Sequence, residues 1–347
     1  MFNTKTVFIV GAGASVDVGL PTGAQLKTKI REYLGTSNYN FNNYNIRDGL
    51  VSHLQRNRER IETGPYIEAA EYIANAMPVS HSIDHFLFTH AKKPQVVTMG
   101  KLAIAATLLD AEYTSDLRLE NNRIDLIKTE NYWLNSFCRF LTEEVQDGDF
   151  EDIFDNVAII TFNYDRCIEH YLAHHLATYY VKPIEEAYEL ARRLTVVHLY
   201  GQLGHLPWRA TGQQQVPFGQ LTSGESVATA MSTLHTFTEQ ATEKAILHRV
   251  RRLVAEAERL VFMGFAFQDL NMQLLLPEDN TVYKEIFGTV SGISKANAEK
   301  ISSYLTREFT TLDNQKPKLY LDHVHCNQLL LDYWRIIFDP DPPEYVN

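Results

Sequence analysis

The stretch Thr6–Ser15, which reads TVFIVGAGAS, decides the fold of this chain. Its short apolar run predicts a buried β-strand, and Gly11 and Gly13 predict a tight turn that leads into a helix. Glycines in such a turn let the backbone approach a phosphate, and the N-terminus of the following helix offers unpaired N–H groups and a positive dipole end. The stretch therefore predicts the strand–turn–helix unit with which a doubly wound α/β sheet binds a nucleotide.

The fingerprint that dehydrogenases use for dinucleotides is incomplete in this chain. The pattern G-x-G-x-x-G requires glycine at position 16, where the chain has Val16. It also requires a second strand about twenty residues further on that ends in an acidic residue, whereas Leu26–Leu34 has a helix-like pattern. The turn thus predicts a nucleotide ligand without dehydrogenase chemistry. A turn that only packs a helix on a strand stays open as the alternative.

The composition and net charge limit the classes of protein to which this chain can belong. The 347 residues are 45% hydrophobic and 22% charged, which is typical of a globular protein in water. A formal net charge of −11 argues against direct nucleic-acid binding over the whole surface. Neither a signal pattern nor an apolar run long enough to span a bilayer is found in the sequence, so we expect a cytoplasmic protein without a membrane partner.

The cysteines are few and far apart, at positions 138, 167 and 326. No C-x-x-C pair is found among them, which argues against a structural zinc ribbon and against a disulfide framework. Few, widely spaced cysteines without a disulfide framework are typical of proteins in a reducing compartment.

Five short apolar runs, separated by helical patterns, predict a parallel sheet. They are Val7–Val10, Val157–Phe162, Thr195–Tyr200, Arg259–Met263 and Lys318–Leu321. Because strands that alternate with helices are typical of α/β proteins, we predict a Rossmann-like, doubly wound and mostly parallel sheet.

The spacing of the strands also predicts the domain organisation. Residues 35–150 contain several helical patterns and little strand signal, which predicts a helical insertion between the first and second strands. Residues 1–34 and 151–347 then form the Rossmann-like core of a single domain that covers 1–347. Further along, apolar residues at helical spacing predict one long helix from Glu225 to Glu258.

Glycines and short polar side chains follow successive predicted strands. Asn163 and Asp165 come after the second strand, His198 and Tyr200 close the third, and Gly264 with Phe265 follows the fourth. Ligands of open parallel sheets bind beyond the carboxyl ends of the strands. Together with the glycine turn, these residues predict one cleft.

These motifs resemble, in their order, those of a bacterial sirtuin-like domain. The matching elements are Gly-Ala-Gly-Ala-Ser at 11–15, Gly-Leu-Pro-Thr at 19–22, Thr-Phe-Asn-Tyr-Asp at 161–165, His-Leu-Tyr-Gly at 198–201, Val-Pro-Phe-Gly at 216–219 and Val-Phe-Met-Gly-Phe at 261–265. Each motif is short, but the ordered set spans about residues 5 to 275.

The resemblance implies NAD⁺ as the ligand and substrate, and it implies a role for each matching residue. The residues that would cradle the pyrophosphate are Gly11, Ala12, Gly13 and Ser15, and Pro21 and Thr22 would also belong to the NAD-binding set. Asn163 would lie by the nicotinamide ribose, and Asp165 would orient the loop or form a hydrogen bond in the pocket. Gly264 and Phe265 would lie near the adenosine ribose.

Three departures from the family pattern bear on the activity. The zinc-binding cysteines of deacetylating sirtuins are missing, so we expect no zinc and doubt protein deacetylation. Thr22-Gly23-Ala24 replaces the family's Asp-Phe-Arg, and Tyr200 stands where most sirtuins have histidine before glycine. His198 lies two residues upstream and would share a strand face with Tyr200. We predict His198 as the base and keep Tyr200 as its competitor, although tyrosine has an ordinary pKa of about 10.

The predicted reaction is hydrolysis of NAD⁺ to nicotinamide and ADP-ribose, with water as the acceptor. The resemblance further implies a bacterial anti-phage effector that acts by NAD⁺ depletion. It also implies a homo-oligomer and a sensor partner such as a HerA-type ATPase or an Argonaute-like protein. A sirtuin-like deacylase or ADP-ribosyltransferase, and a non-catalytic module that senses NAD or ADP-ribose, stay open as alternatives.

Overall fold

A six-stranded parallel sheet runs through the centre of the computed structural model, which describes residues 2–37, 40–41, 43–60, 62–209, 212, 214–240 and 244–338. The strands of this sheet are β1 (Thr6–Val10), β4 (Val157–Thr161), β5 (Thr195–His198), β6 (Arg259–Met263), β7 (Glu285–Thr289) and β8 (Lys318–Asp322). A short antiparallel pair, β2 (Thr36–Ser37) and β3 (Asn40–Phe41), lies outside the sheet.

The strand order of the sheet is β5-β4-β1-β6-β7-β8, and every neighbouring pair is parallel. The chain builds outward from β1 through β4 to β5, then returns to the other side of β1 and continues through β6, β7 and β8. This is the order of a doubly wound sheet, whose ligand crevice lies where the direction of winding reverses, between β1 and β6. The predicted Rossmann-like α/β fold is confirmed.

The central strands are buried on both faces. All five residues of β1 and all five of β4 are buried, which explains their continuous apolar sequences. Alternate side chains of β1 enter separate hydrophobic clusters on the two faces of the sheet: Ile9 lies in one cluster and Phe8 in the other.

Helices cover both faces of the sheet. They are α1 (Gly23–Leu34), α2 (Tyr44–Arg56), α3 (Gly64–Ala76), α4 (Ile83–Thr89), α5 (Pro94–Thr114), α6 (Trp133–Thr142), α7 (Cys167–Tyr179), α8 (Ile184–Ala191), α9 (Gly224–Ser232), α10 (Phe237–Gln240), α11 (Lys244–Glu256), α12 (Asp269–Leu275), α13 (Lys295–Phe309) and α14 (Cys326–Phe338). Within the described ranges, none of these helices is long and apolar enough to cross a membrane.

The region between β1 and β4 is helical, as the sequence predicts, and its helices share the core of the sheet. Leu102 of α5 lies in the same hydrophobic cluster as Ile9 of β1 and Val227 of α9. On the other face, Phe137 of α6 lies in one cluster with Phe8. Helices of the region 35–150 therefore pack on both faces of the sheet, while its outer boundaries stay a prediction.

The expected single helix from Glu225 to Glu258 is wrong. Helices α9, α10 and α11 occupy this segment, and residues 241–243 lie outside the described residues. The chain leaves the helical path after α9 because its polar groups bond to the turn after β5. The Thr233 hydroxyl donates to the carbonyl of Gln202, and the N–H of His235 donates to the carbonyl of Tyr200 at 2.8 Å.

Strand β7 is absent from the sequence prediction. Its sequence, EIFGT, contains only two large apolar residues before Gly288, so its signal is weaker than that of the other strands. The strand forms because β6 and β8 pair with it on either side.

Candidate functional site

A cavity of about 630 Å³ lies at the carboxyl edge of the sheet, at the reversal between β1 and β6. Loops that follow all six parallel strands contribute to its wall, and so does the start of α4. Its volume falls within the range of small-molecule sites, roughly 300–1,000 Å³. The cavity therefore occupies the place where the strand order predicts a ligand.

Three glycines bring the loops after β1 and β6 into direct backbone contact. The N–H of Gly13 donates to the carbonyl of Gly264 at 3.0 Å, and the N–H of Gly11 donates to Met263 at 3.0 Å. A Cβ on Gly11 would lie 2.7 Å from the carbonyl oxygen of Gly264. Gly11 and Gly13 line the cavity as predicted, and their small size also lets the two loops pack at this distance.

The expected helix directly after the glycines is wrong. Ala12–Ser15 forms a single 3₁₀ turn, and the α-helix α1 begins only at Gly23. Thr22 caps α1 by accepting from the N–H of Gln25. Thr22 lines the cavity together with Ala12, whereas Pro21 is not among the lining residues.

Asn163 lies in the cavity wall with its side chain held in one orientation. Its amide nitrogen donates to the carbonyl of Gly11 at 3.1 Å and to the hydroxyl of Ser15 at 3.0 Å. No partner for its amide oxygen is found among the described residues. That oxygen is therefore the atom of the Asn163 amide that can interact with a ligand.

Ser15 and Asp165 support Asn163 from behind the cavity wall. The Ser15 hydroxyl donates to Asp165 at 2.8 Å, and the second carboxylate oxygen of Asp165 accepts from the N–H of Cys167 at 3.2 Å. Both residues are buried, and neither lines the cavity. Asp165 thus anchors the loop to the start of α7, which is one of the two roles that the resemblance implied.

His198 is directed toward a buried acid. Its Nε2 lies 3.0 Å from Oε1 of Glu169, and its Nδ1 lies 3.2 Å from the carbonyl oxygen of Asn163. Arg209 also donates to Glu169, at 2.7 Å. Since both ring nitrogens face oxygen acceptors, the geometry suits a doubly protonated ring. Burial disfavours this charge, but Glu169, the backbone carbonyl of Asn163 and Asp165 together outweigh burial and raise the pKa of His198 above its ordinary value.

The expectation that His198 and Tyr200 share one face of a strand is wrong. Strand β5 ends at His198, and Tyr200 lies in the following turn, so strand alternation does not apply to the pair. Tyr200 lines the cavity, whereas His198 lines a separate cavity of about 370 Å³.

Tyr200 is buried and donates its hydroxyl to Oδ1 of Asn271 at 2.7 Å. Burial raises the pKa of Tyr200 well above its ordinary value, with a smaller contribution from Asp84. Its phenol therefore holds its proton at neutral pH.

Several cavity residues escaped prediction as site residues. Ser82 and Asp84, at the start of α4, lie in the wall, as do residues that follow β7 and β8, including Ser291 and His325. Ser82 and Asp84 have the sequence signal of a helix start rather than of a site, because Ser82 caps α4 by accepting a hydrogen bond from the N–H of His85. The last two depend on β7, which the sequence pattern did not indicate, and on the position of β8 in the sheet.

The described lining residues include no lysine or arginine. An anionic ligand would therefore be held by backbone N–H groups and by side chains other than lysine and arginine. In the described part of the chain, no group of three or more histidine, cysteine or acidic residues is arranged to hold a metal ion. The cysteines at 138, 167 and 326 are buried and unpaired with one another.

The fold and the cavity define a Rossmann-like α/β protein with a small-molecule-sized site at the reversal of its sheet. Residues 157–289 match the family model described as a SIR2-like domain, a class of NAD-dependent enzymes. The match runs from the start of β4 to the end of β7 and supports a sirtuin-like domain. It includes Asn163 and Gly264 but not the glycine turn after β1. A search of curated proteins found no match.

Proposed function

We propose that this protein hydrolyses NAD⁺ to nicotinamide and ADP-ribose. The observation that carries the proposal is the fixed amide of Asn163, whose nitrogen is bound to Gly11 and Ser15 and whose oxygen has no partner among the described residues. The sirtuin-like match over residues 157–289, which contains Asn163, supports NAD⁺ as the substrate.

The chemistry requires few groups. Nicotinamide in NAD⁺ is a cationic pyridinium, so it leaves the ribose as a neutral molecule and needs no strong acid. The ribose then develops positive charge at C1′, which a preorganised amide oxygen such as that of Asn163 stabilises without reorganisation. Water adds to C1′, and one proton is released for each NAD⁺ consumed.

In this proposal His198 positions Asn163 and does not act as the base. Its Nε2 faces Glu169, its Nδ1 faces the backbone carbonyl of Asn163, and His198 is not among the residues that line the cavity. Tyr200 keeps its own proton and holds Asn271 at the cavity wall. The positioning roles of His198 and Tyr200 are both argued from hydrogen bonds within the protein.

The biological part of the proposal is that the protein is the effector of a bacterial anti-phage system that acts by NAD⁺ depletion. A homo-oligomer and a sensor partner, of the HerA-type ATPase or Argonaute-like kind, belong to this proposal. Its support is the resemblance of the ordered motifs to defence proteins of the sirtuin-like type. Light scattering of the purified chain tests the oligomer.

Turnover of NAD⁺ by the purified chain, with chromatography of the products, tests the activity. The Asn163→Ala variant should lose at least about 100-fold in kcat, because an aligned group that stabilises transition-state charge contributes about that much. Asn156→Ala is the matched control: Asn156 also donates its amide to a backbone carbonyl, that of Phe2, but just before β4 rather than just after it. This control should keep wild-type turnover.

The products separate the proposal from its alternatives. Free nicotinamide with ADP-ribose supports the hydrolase, and nicotinamide with a modified protein supports a transferase or deacylase. NAD⁺ that is bound but left intact fits a sensing module or an effector that awaits its sensor partner, and repeating the assay with that partner separates the two. Wild-type turnover in Asn163→Ala would reject the assignment of the site.

A further inference from the structure

Asp84 places a carboxylate in the wall of the cavity, from the first turn of α4. Its Oδ1 accepts a hydrogen bond of 2.6 Å from the hydroxyl of Tyr164. In the described part of the chain, Oδ2 accepts no hydrogen bond from another residue. One carboxylate oxygen is thus held by the protein, and the other is available to a ligand.

Tyr164 connects this carboxylate to the proposed catalytic amide. It directly follows Asn163 in the loop after β4, and its ring lies 6.2 Å from that of Tyr200 between centroids. Tyr200 in turn holds Asn271. Asp84 therefore lies on the side of the cavity formed by the loops after β4 and β5, where Asn163 also lies.

The other titratable groups of the cavity wall are less suited to accept a proton there. The phenol of Tyr200 already donates its hydrogen to Asn271. Asp17 interacts with His325, which lies just before α14, in the loop after the edge strand β8. Because β8 and β5 are opposite edges of the sheet, this pair belongs to the other side of the cavity.

We infer that Asp84 is the general base of the proposed hydrolysis. As the bond between C1′ and the nicotinamide nitrogen breaks, its electron pair leaves with nicotinamide. A water molecule forms the new bond to C1′ and loses one proton to the Asp84 carboxylate, which later releases it to solvent. This role rests on the proposed function, and it gives the reaction a base that is neither His198 nor Tyr200.

The surroundings of Asp84 determine the pH dependence. Burial raises the pKa of Asp84 above its ordinary value, and the hydrogen bond from Tyr164 lowers it. Helix α10, which packs against α4, carries Glu239 in an ion pair with Lys101 of α5. On the segment that carries Asp84, the neighbouring His81 and His85 are exposed. The base is active when ionised, so turnover falls as the pH drops through the pKa of Asp84.

The test compares variants of two tyrosine–aspartate pairs. Asp84→Asn should lower kcat by about 10²–10⁴-fold, the usual contribution of a general base, with the Kd for ADP-ribose changed less than about threefold. Asp110→Asn is the matched control, because Asp110 accepts from Tyr33 at 2.7 Å outside the cavity wall. It should keep wild-type kcat.

A second pair of variants gives a readout that a structural role would not change. Tyr164→Phe removes the bond that lowers the pKa of Asp84, so the acid limb of the kcat profile should move to higher pH. Tyr33→Phe should leave that limb in place. Added formate should restore turnover in Asp84→Ala but not in Asn163→Ala.

The outcomes separate this inference from the proposed function. Wild-type kcat in Asp84→Asn, or an acid limb that Tyr164→Phe does not move, overturns the role of Asp84 and leaves the hydrolase proposal intact. If Asp84→Asn does not fold, the profile of Tyr164→Phe decides. If the wild-type chain turns over no NAD⁺, either alone or together with the proposed sensor partner, both proposals are overturned.

Discussion

At the scale of single residues, Gly264 meets two demands that no other residue type meets. Its φ of +57° lies in the left-handed region, and a Cβ there would lie 2.1 Å from the amide nitrogen of Ala14. The contacting atoms are backbone, so they cannot move aside as a flexible side chain would. Gly264 thus allows the loop after β6 to close on the glycine turn after β1.

We predict that Gly264→Ala destabilises the protein by more than the usual penalty for a left-handed residue, which is about 1–2 kcal/mol. Gly292→Ala is the matched control, because Gly292 has φ +76° and nothing within 4 Å of the added Cβ. Urea unfolding of both variants measures the difference. Equal losses would show that the backbone contact with Ala14 contributes nothing.

At the scale of secondary-structure elements, a buried ion pair joins the helical region to the sheet. Arg166, just before α7, forms an ion pair with Glu112 of α5, and both side chains are fully buried. Its guanidinium also donates to the carbonyls of Gly204 and Val216. One side chain thereby holds α5, α7 and the loop after β5 together.

Removing one partner of this pair should be costly, since it leaves the other charge buried without compensation. We predict that Arg166→Met lowers the free energy of unfolding by about 3–5 kcal/mol. The double variant Glu112→Leu/Arg166→Met should lose less than the sum of the two single variants. Chemical denaturation of the three variants checks this, and additive losses would argue against coupling between Arg166 and Glu112.

At the scale of the whole molecule, the cavity wall depends on loops after all six strands of the main sheet and on α4. A ligand bound there contacts segments that come together only in the folded chain. Ligand binding and global stability should therefore be linked, because unfolding separates the contacts.

We predict that ADP-ribose at about 100 times its Kd stabilises the fold by about 2.7 kcal/mol. Melting temperatures measured over a series of ADP-ribose concentrations should rise with the logarithm of concentration. Adenosine, which lacks the diphosphate, is the matched ligand and should bind more weakly. A melting temperature that does not depend on ADP-ribose would contradict a nucleotide site in this cavity.

The site residues differ in whether local sequence patterns predict them. Gly11, Gly13 and Asn163 were predictable because each follows a strongly apolar strand and parallel strands end at one edge of the sheet. Asp84 was not predictable in this way. It belongs to a helix that lies far from the strands in sequence, and only its packing brings it to the cavity.

The sequence by itself determined the parallel α/β class, the helical region between the first two strands and the position of the glycine turn, because these follow from local apolar patterns and turn residues. Tertiary structure alone decided that His198 faces Glu169, that the chain breaks between α9 and α10, and that Asp84 meets Tyr164. The physical reason is that such contacts join residues distant in sequence, so local patterns carry no information about them.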